Sequence, residues 1–243
     1  MFKKQLAVVL ATVFFSASAL ALDPHEHSDS QSQVAAFVNH LSIDNAEFIA
    51  AHKPSYFVEL SKGQHPKATV VTCSDSRVQT NEFDKIPEDE LFMVRDIGNQ
   101  MDTAEGSVEY GVHHLHTPIL LFIGHSRCGA ITAASGDYSE ESVAIRRELD
   151  TISISKGGAN IDGVKTNVNN QVAAASKKFA EEVKEGHLTI IGAVFDFADD
   201  MKEGAGMLNI INVNGETDQA KLGDLNALTA KAGHEAVHEH AHH

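Results

Sequence analysis

Two short segments of this 243-residue chain carry the residue types of a metal site. Residues 73–77 read Cys-Ser-Asp-Ser-Arg, and residues 125–128 read His-Ser-Arg-Cys. Thiolates and an imidazole are ligands that zinc prefers, and three of them leave one tetrahedral position free. Both cysteines of the chain fall in these segments. The pattern therefore predicts a zinc ion held by Cys73, His125 and Cys128.

Each segment follows an apolar run that is typical of a buried strand. Ala-Thr-Val-Val-Thr precedes Cys73, and five apolar residues at 119–123 precede Gly124 and His125 without alternation. Ligand sites in open α/β folds lie at the carboxyl edge of the sheet. Two parallel strands that end side by side would therefore bring the thiols and the imidazole together.

In this order, the two motifs resemble the signature of the β-class carbonic anhydrases, C-x-D-x-R followed by H-x-x-C. An R-x-x-G-N element, formed by Arg95, Gly98 and Asn99, lies between them. Asp96 departs from the family's usual R-N-x-G-N. The resemblance implies an α/β fold with a central, mostly parallel β-sheet flanked by helices, and an N-terminal helical arm that wraps onto a partner subunit.

The resemblance also implies an activity and an assembly. It predicts a carbonate dehydratase with one Zn²⁺ per subunit, which reversibly hydrates carbon dioxide to bicarbonate and a proton by means of zinc-bound hydroxide. Zinc can lower the pKa of bound water from about 16 toward 7. The expected assembly is a homodimer or a homotetramer.

Roles for individual residues follow from the same resemblance. Asp75 and Arg77 would form a dyad with two states. In one, Arg77 holds Asp75, which accepts a hydrogen bond from the zinc-bound hydroxide; in the other, Asp75 is the fourth zinc ligand and closes the site. The family's substrate pocket maps onto five positions of this chain: Gln64, Phe92, Ile97, Tyr110 and Gly129.

The chain begins with the pattern of a signal peptide: Lys3 and Lys4, an apolar stretch at residues 6–15, and Ala-Leu-Ala at 19–21. The alternative is a membrane anchor, but the apolar stretch is too short to span a bilayer comfortably. Cleavage predicts a periplasmic or secreted protein without membrane association. The predicted organisation is a signal peptide (1–21), a His-containing flexible segment (22–33), a β-carbonic anhydrase-like domain (34–216) and a polar His-rich tail (217–243).

The composition excludes some partners. The formal net charge is −15, and removal of Lys3 and Lys4 makes the mature chain more negative still. Such an acidic surface repels nucleic acid but says little about a small neutral substrate; the small-molecule substrate expected here, carbon dioxide or bicarbonate, is implied by the resemblance. In an oxidising compartment two cysteines often form a disulfide. The flanking Asp75, Arg77 and His125 favour a metal instead, since a disulfide does not require them.

Two alternative functions remain from the sequence. One is a carbon disulfide-type hydrolase on the same fold, which would share the metal ligands. The other is a non-catalytic protein that binds zinc through the histidines near its two ends. These are His25 and His27 at one end and the histidines between 234 and 243 at the other. For His113, His114 and His116 we expect surface or packing roles rather than metal ligation.

Helix and strand patterns recur along the rest of the chain. Residues 34–60 carry helical signals, with Asn45 as a potential cap. Further elements are expected as strands at 91–94, 187–195 and 206–213, and as helices at 103–116 and within 145–185.

Overall fold

The computed structural model describes residues 30–223, which form two compact units that divide between Ser61 and Lys62. The predicted signal peptide, most of the predicted flexible segment and most of the His-rich tail lie outside the described residues. No described helix is both long enough and apolar enough to cross a bilayer.

Two helices make up the first unit, α1 (Ser30–Ala51) and α2 (Pro54–Leu60). Pro54 starts α2, where its fixed φ and missing N–H are tolerated, and it disfavours a helical conformation for Lys53. Asn45 lies inside α1, so the prediction that it caps a helix is wrong. The helix begins well before Asn45, and an interior asparagine costs only a fraction of a kcal/mol, about 0.7 or less.

The second unit is built on a sheet whose strands lie in the order β2-β1-β3-β4-β5. Strands β1 to β4 are parallel to one another, and β5 pairs with β4 in the antiparallel sense. The strands are β1 (Ala68–Cys73), β2 (Leu91–Asp96), β3 (Ile119–His125), β4 (Thr189–Asp196) and β5 (Met207–Val213). The helices are α3 (Met101–Glu109), α4 (Gly129–Ser135), α5 (Val143–Leu149), α6 (Ile161–Lys178) and α7 (Ala180–Lys184).

Helix α6 lies close against the central strands because two of their residues are glycines. A Cβ atom at Gly124 of β3 would lie 2.6 Å from Val168 Cγ2, and one at Gly192 of β4 would lie 2.7 Å from Val168 Cγ1. Val168 itself is fully buried. This close approach places one face of α6 directly over the carboxyl end of β3 and the middle of β4.

The predicted fold class is confirmed: a mostly parallel sheet flanked by helices, with an N-terminal helical segment. Several boundaries differ from the predicted ones. The helix expected at 103–116 is α-helical only to Glu109 and continues as a π-helical turn, Tyr110–His114. Strand β4 begins at Thr189 rather than 187, because His187 and Leu188 still belong to the turn that ends α7.

Candidate active site

The two motifs meet at the carboxyl edge of the sheet. Cys73 is the last residue of β1 and His125 the last residue of β3, and these strands are parallel neighbours. Cys128 is the N-cap of α4, three residues beyond His125. The two Sγ atoms and an imidazole nitrogen all lie within 4.8 Å of one another, and all three residues are buried. Both cysteines are free thiols, so the disulfide alternative is not the arrangement found.

His125 is oriented by its own turn. Its Nδ1 lies 3.0 Å from the backbone oxygen of Ser126, which assigns Nδ1–H as the donor and leaves a lone pair on Nε2. That Nε2 is buried and has no hydrogen-bond partner. Phe197 stacks on the ring at a centroid distance of 5.9 Å. A buried, unpartnered nitrogen beside two thiols is the donor set that a divalent metal would satisfy.

The thiols of Cys73 and Cys128 are linked by a hydrogen bond that shifts the pKa of each. A hydrogen bond from Cys128 lowers the pKa of Cys73, and the same hydrogen bond together with burial raises the pKa of Cys128. The backbone N–H of Gly98 also donates to Cys73 Sγ at 3.4 Å. The pair therefore carries negative charge at neutral pH, which attracts a cation to the cluster.

Asp75 is held by Arg77 through three hydrogen bonds. Arg77 Nε and its backbone N each donate to Oδ1 at 2.9 Å, and an η-nitrogen donates to Oδ2 at 2.7 Å. The guanidinium beside it holds the pKa of Asp75 well below its usual range. Oδ2 lies 3.8 Å from His125 Nε2, so the carboxylate faces the ligand cluster. Arg77 thus engages both oxygens of this carboxylate.

Arg95 fixes the loop that carries this dyad. Its guanidinium donates to the backbone oxygens of Cys73, Asp75 and Val78 at 2.7 to 3.1 Å. The loop's carbonyls thereby gain partners that no strand provides. Arg95 is the first residue of the R-x-x-G-N element, and these contacts explain why an arginine is needed at that position.

Sequence reasoning missed a buried amide network behind Gly98. Asn167 Nδ2 donates to the Gly98 oxygen at 2.9 Å, and Asn167 Oδ1 accepts from Gln100 and Gln171 at 3.2 and 3.1 Å. Gln171 also donates to Gln100 Oε1 at 2.9 Å. The network therefore holds the carbonyl of the residue whose N–H reaches Cys73. An Asn and a Gln four residues apart on a helix were the available signal.

The five predicted pocket residues do not lie together in one chain. Ile97 follows β2 and packs with the apolar cluster that contains both cysteines, and Gly129 adjoins Cys128 with open space at its Cα. Phe92 and Tyr110 contact each other at a centroid distance of 5.8 Å, but Phe92 lies near the amino end of β2.

The register of β1 and β2 gives the distance of Phe92 from the Cys-His-Cys cluster. Cys73 pairs with Asp96, four residues beyond Phe92, which corresponds to about 13 Å along the strand. Gln64 is exposed and precedes the start of β1, whereas Cys73 ends it. Two of the predicted residues, Ile97 and Gly129, thus adjoin the Cys-His-Cys cluster, and the other three lie toward the other end of the sheet.

Comparisons with known proteins agree with this geometry. The family model described as "Carbonic anhydrase" matches residues 68–202. Carbonic anhydrase 2 of Mycobacterium tuberculosis is 29% identical over 175 residues, which cover 64% of this chain and 84% of the relative. The carbonic anhydrase of Mycolicibacterium smegmatis is 30% identical, with 64% and 85% covered.

Solved structures show the same fold. A tetrameric β-carbonic anhydrase from Sordaria macrospora superposes with a TM-score of 0.59 at 25% identity, covering 73% of this chain and 98% of that one. The Coccomyxa β-carbonic anhydrase in complex with acetazolamide gives 0.58 at 23% identity, with 77% and 90% covered. From the family match, these relatives and the Cys-His-Cys cluster, the chain belongs to the carbonic anhydrase family and, within it, to the β class.

Proposed function

We propose that this protein reversibly hydrates carbon dioxide to bicarbonate and a proton at a zinc ion held by Cys73, His125 and Cys128. The observation that carries the proposal is the convergence of these ligand atoms within 4.8 Å around the unpartnered Nε2 of His125. Two thiolates and one imidazole suit Zn²⁺ better than Mg²⁺ or Ca²⁺, which prefer oxygen ligands. When bound with one position free, zinc supplies Lewis acidity that makes water a nucleophile at neutral pH.

The Asp75–Arg77 dyad orients that water. Both carboxylate oxygens are engaged by Arg77, which keeps Asp75 anionic and 3.8 Å from the ligand nitrogen instead of among the ligands. From this position Oδ2 can accept a hydrogen bond from a water molecule beside the cluster, so that a lone pair of the water faces the substrate. Ile97 and Gly129 form the near wall of the space for carbon dioxide.

A second copy of the chain supplies the rest of the pocket. Phe92 lies about 13 Å along β2 from the position that pairs with Cys73. Tyr110 contacts Phe92, and Gln64 precedes the start of β1. They can border a metal only in another subunit, which supports the proposed homodimer or homotetramer. The Sordaria macrospora neighbour is tetrameric.

Helix α1 supports the same assembly. Its apolar side chains recur at helical spacing and are largely exposed, with Val34, Phe37 and Val38 at 62%, 61% and 55%. A stripe of this kind is expected on an arm that wraps onto a partner subunit. We further propose that residues 1–21 direct the chain to the periplasm or outside the cell.

The test is zinc content and carbon dioxide hydration measured on the same preparations. We expect about one zinc per subunit by elemental analysis, together with stopped-flow proton release from carbon dioxide. His125→Ala should lose both. Removing residues 224–243 should lose neither, and a loss of hydration on this truncation would instead favour the His-rich tail as the working part. Proton release from carbon disulfide but not carbon dioxide would refute the proposed substrate.

A further inference from the structure

The loop between β4 and β5, residues 197–206, contacts the candidate active site although it belongs to neither motif. The backbone N–H of Ala198 donates to Ser126 Oγ at 3.3 Å. Arg127 Nη2 lies 3.4 Å from Asp200 Oδ1. The start of the loop is therefore attached to the two residues that separate the second candidate ligand from the third.

Asp196, the last residue of β4, holds this loop in shape. Its fully buried carboxylate accepts hydrogen bonds from the backbone N–H groups of Ala198 and Asp200 at 3.2 and 3.1 Å. A third hydrogen bond comes from the N–H of Met201 at 2.6 Å. A buried carboxylate requires such partners, so the loop backbone is tied to the end of the strand. Phe197 lies inside this arrangement and has a defined position.

The ring of Phe197 lies between a candidate metal ligand and the dyad. It is partly buried and packs edge-on against Phe195, with centroids 5.8 Å apart. It stacks on the imidazole of His125 at 5.9 Å and an interplanar angle of 28°. The guanidinium carbon of Arg77 lies 4.8 Å from the centroid of the same ring. One aromatic side chain therefore contacts both motifs.

Arg77 needs a support of this kind because its side chain is half exposed, at 51%. A long side chain loses rotamer freedom when it is held in one geometry, and water screens its ion pair. A cation within about 6 Å of an aromatic centroid is attracted to the ring. The contact with Phe197 therefore favours the conformation in which Arg77 donates to both oxygens of Asp75.

We propose that Phe197 is a positioning residue of this site, whose ring holds the guanidinium of Arg77 against Asp75. An aliphatic side chain at this position would fill similar space but would offer the cation no aromatic ring. Without the ring, Asp75 is released more often, and its Oδ2 already lies 3.8 Å from His125 Nε2. The effect on catalysis rests on the proposed hydration of carbon dioxide, whereas the contact itself does not.

The test follows the Nε–H signal of Arg77 by NMR in the full-length, zinc-loaded protein, with the signal assigned by its loss in Arg77→Lys. The variants are Phe197→Leu, which removes the ring, and Phe197→Tyr, which keeps it. The matched control is Phe83→Leu. Phe83 is also partly buried and packs against the same apolar cluster as Phe197, so the two leucine variants lose similar packing. Zinc content and carbon dioxide hydration are measured on the same samples.

In the wild type, in Phe197→Tyr and in the control, the Arg77 Nε–H should carry an upfield ring-current shift and exchange slowly with water. In Phe197→Leu the shift should disappear and exchange should become roughly 2- to 5-fold faster, as expected for the loss of one partly exposed cation–π contact. Hydration should slow in Phe197→Leu at unchanged zinc content and recover in Phe197→Tyr.

Unchanged Arg77 exchange in Phe197→Leu, or the same change in Phe83→Leu, would overturn the proposal, because either result is what ordinary packing gives. Faster exchange with no loss of hydration rate would also overturn it, since the ring would then not act on the reaction. A wild type that does not hydrate carbon dioxide, but whose Arg77 signal responds to Phe197→Leu, would support the contact and refute the proposed function.

Discussion

Replacement of Asn167 by alanine should separate the buried amide network from ordinary helix packing. Asn167 is 1% exposed and makes three hydrogen bonds, one to the Gly98 oxygen and two from Gln100 and Gln171. Each of these three partners keeps another partner, so the cost is that of the lost bonds, about 1 kcal/mol each and about 3 kcal/mol in all. For a domain of this size that lowers Tm by about 6–12 °C.

Asn170→Ala is the matched control for this prediction. Asn170 lies on the same helix and makes one hydrogen bond, to Ser153 O at 2.7 Å, so its loss should cost about 1 kcal/mol. Urea unfolding of the metal-free proteins gives both free energies of unfolding. Equal destabilisation by the two substitutions would refute the reasoning.

Asn167→Ala should also weaken zinc binding, because Gly98, whose N–H donates to Cys73 Sγ, loses a hydrogen bond that holds its oxygen. The expected loss is roughly 10- to 100-fold, the range seen for outer-shell partners of metal ligands. Competition with a chelator measures it. Unchanged zinc affinity in a destabilised variant would show that the network serves stability alone.

Three further substitutions test other parts of the structure. Asp75→Asn should retain zinc but lower the rate of carbon dioxide hydration by about 100-fold or more, measured by stopped flow, and an unaltered rate would exclude the proposed role. Gly124→Ala should lower the free energy of unfolding by about 1–3 kcal/mol, because its Cβ would lie 2.6 Å from Val168 Cγ2. Its control, Gly106→Ala, has no atom within 4 Å of the new Cβ and should be neutral or stabilising by less than about 1 kcal/mol. Phe37→Asp on the exposed stripe of α1 should shift the oligomer toward smaller species in sedimentation, and an unchanged mass would contradict the proposed arm.

The convergence of the three candidate metal ligands could be predicted from sequence because local pattern and topology agree. An uninterrupted apolar run ending in Gly124 and His125 indicates a buried parallel strand, and the same holds for the run ending in Cys73. Parallel neighbours end at one edge, so the ligands had to meet if the strands were adjacent. The pairing of β1 with β3 confirms that adjacency.

The positions of the predicted pocket residues relative to the candidate ligands could not be predicted in this way. The resemblance supplied Gln64, Phe92 and Tyr110 by type and position, but no local pattern states how far they lie from the ligands. That distance depends on strand register, which is fixed by pairings between residues far apart in the chain. Phe92 pairs with Thr69, at the opposite end of β1 from Cys73.

The sequence alone thus determined the family motifs, the three candidate ligands and the class of fold. The motifs and candidate ligands lie in short segments, and the apolar runs before them indicate buried strands. Only the tertiary structure decided which side chains share a site. It brought Asn167 of α6 within hydrogen-bond distance of the Gly98 oxygen, although the two residues are 69 positions apart in the chain. Such contacts depend on how helices pack on the sheet. That packing is set by side chains far apart in the sequence, such as Val168 of α6 against Gly124 of β3 and Gly192 of β4.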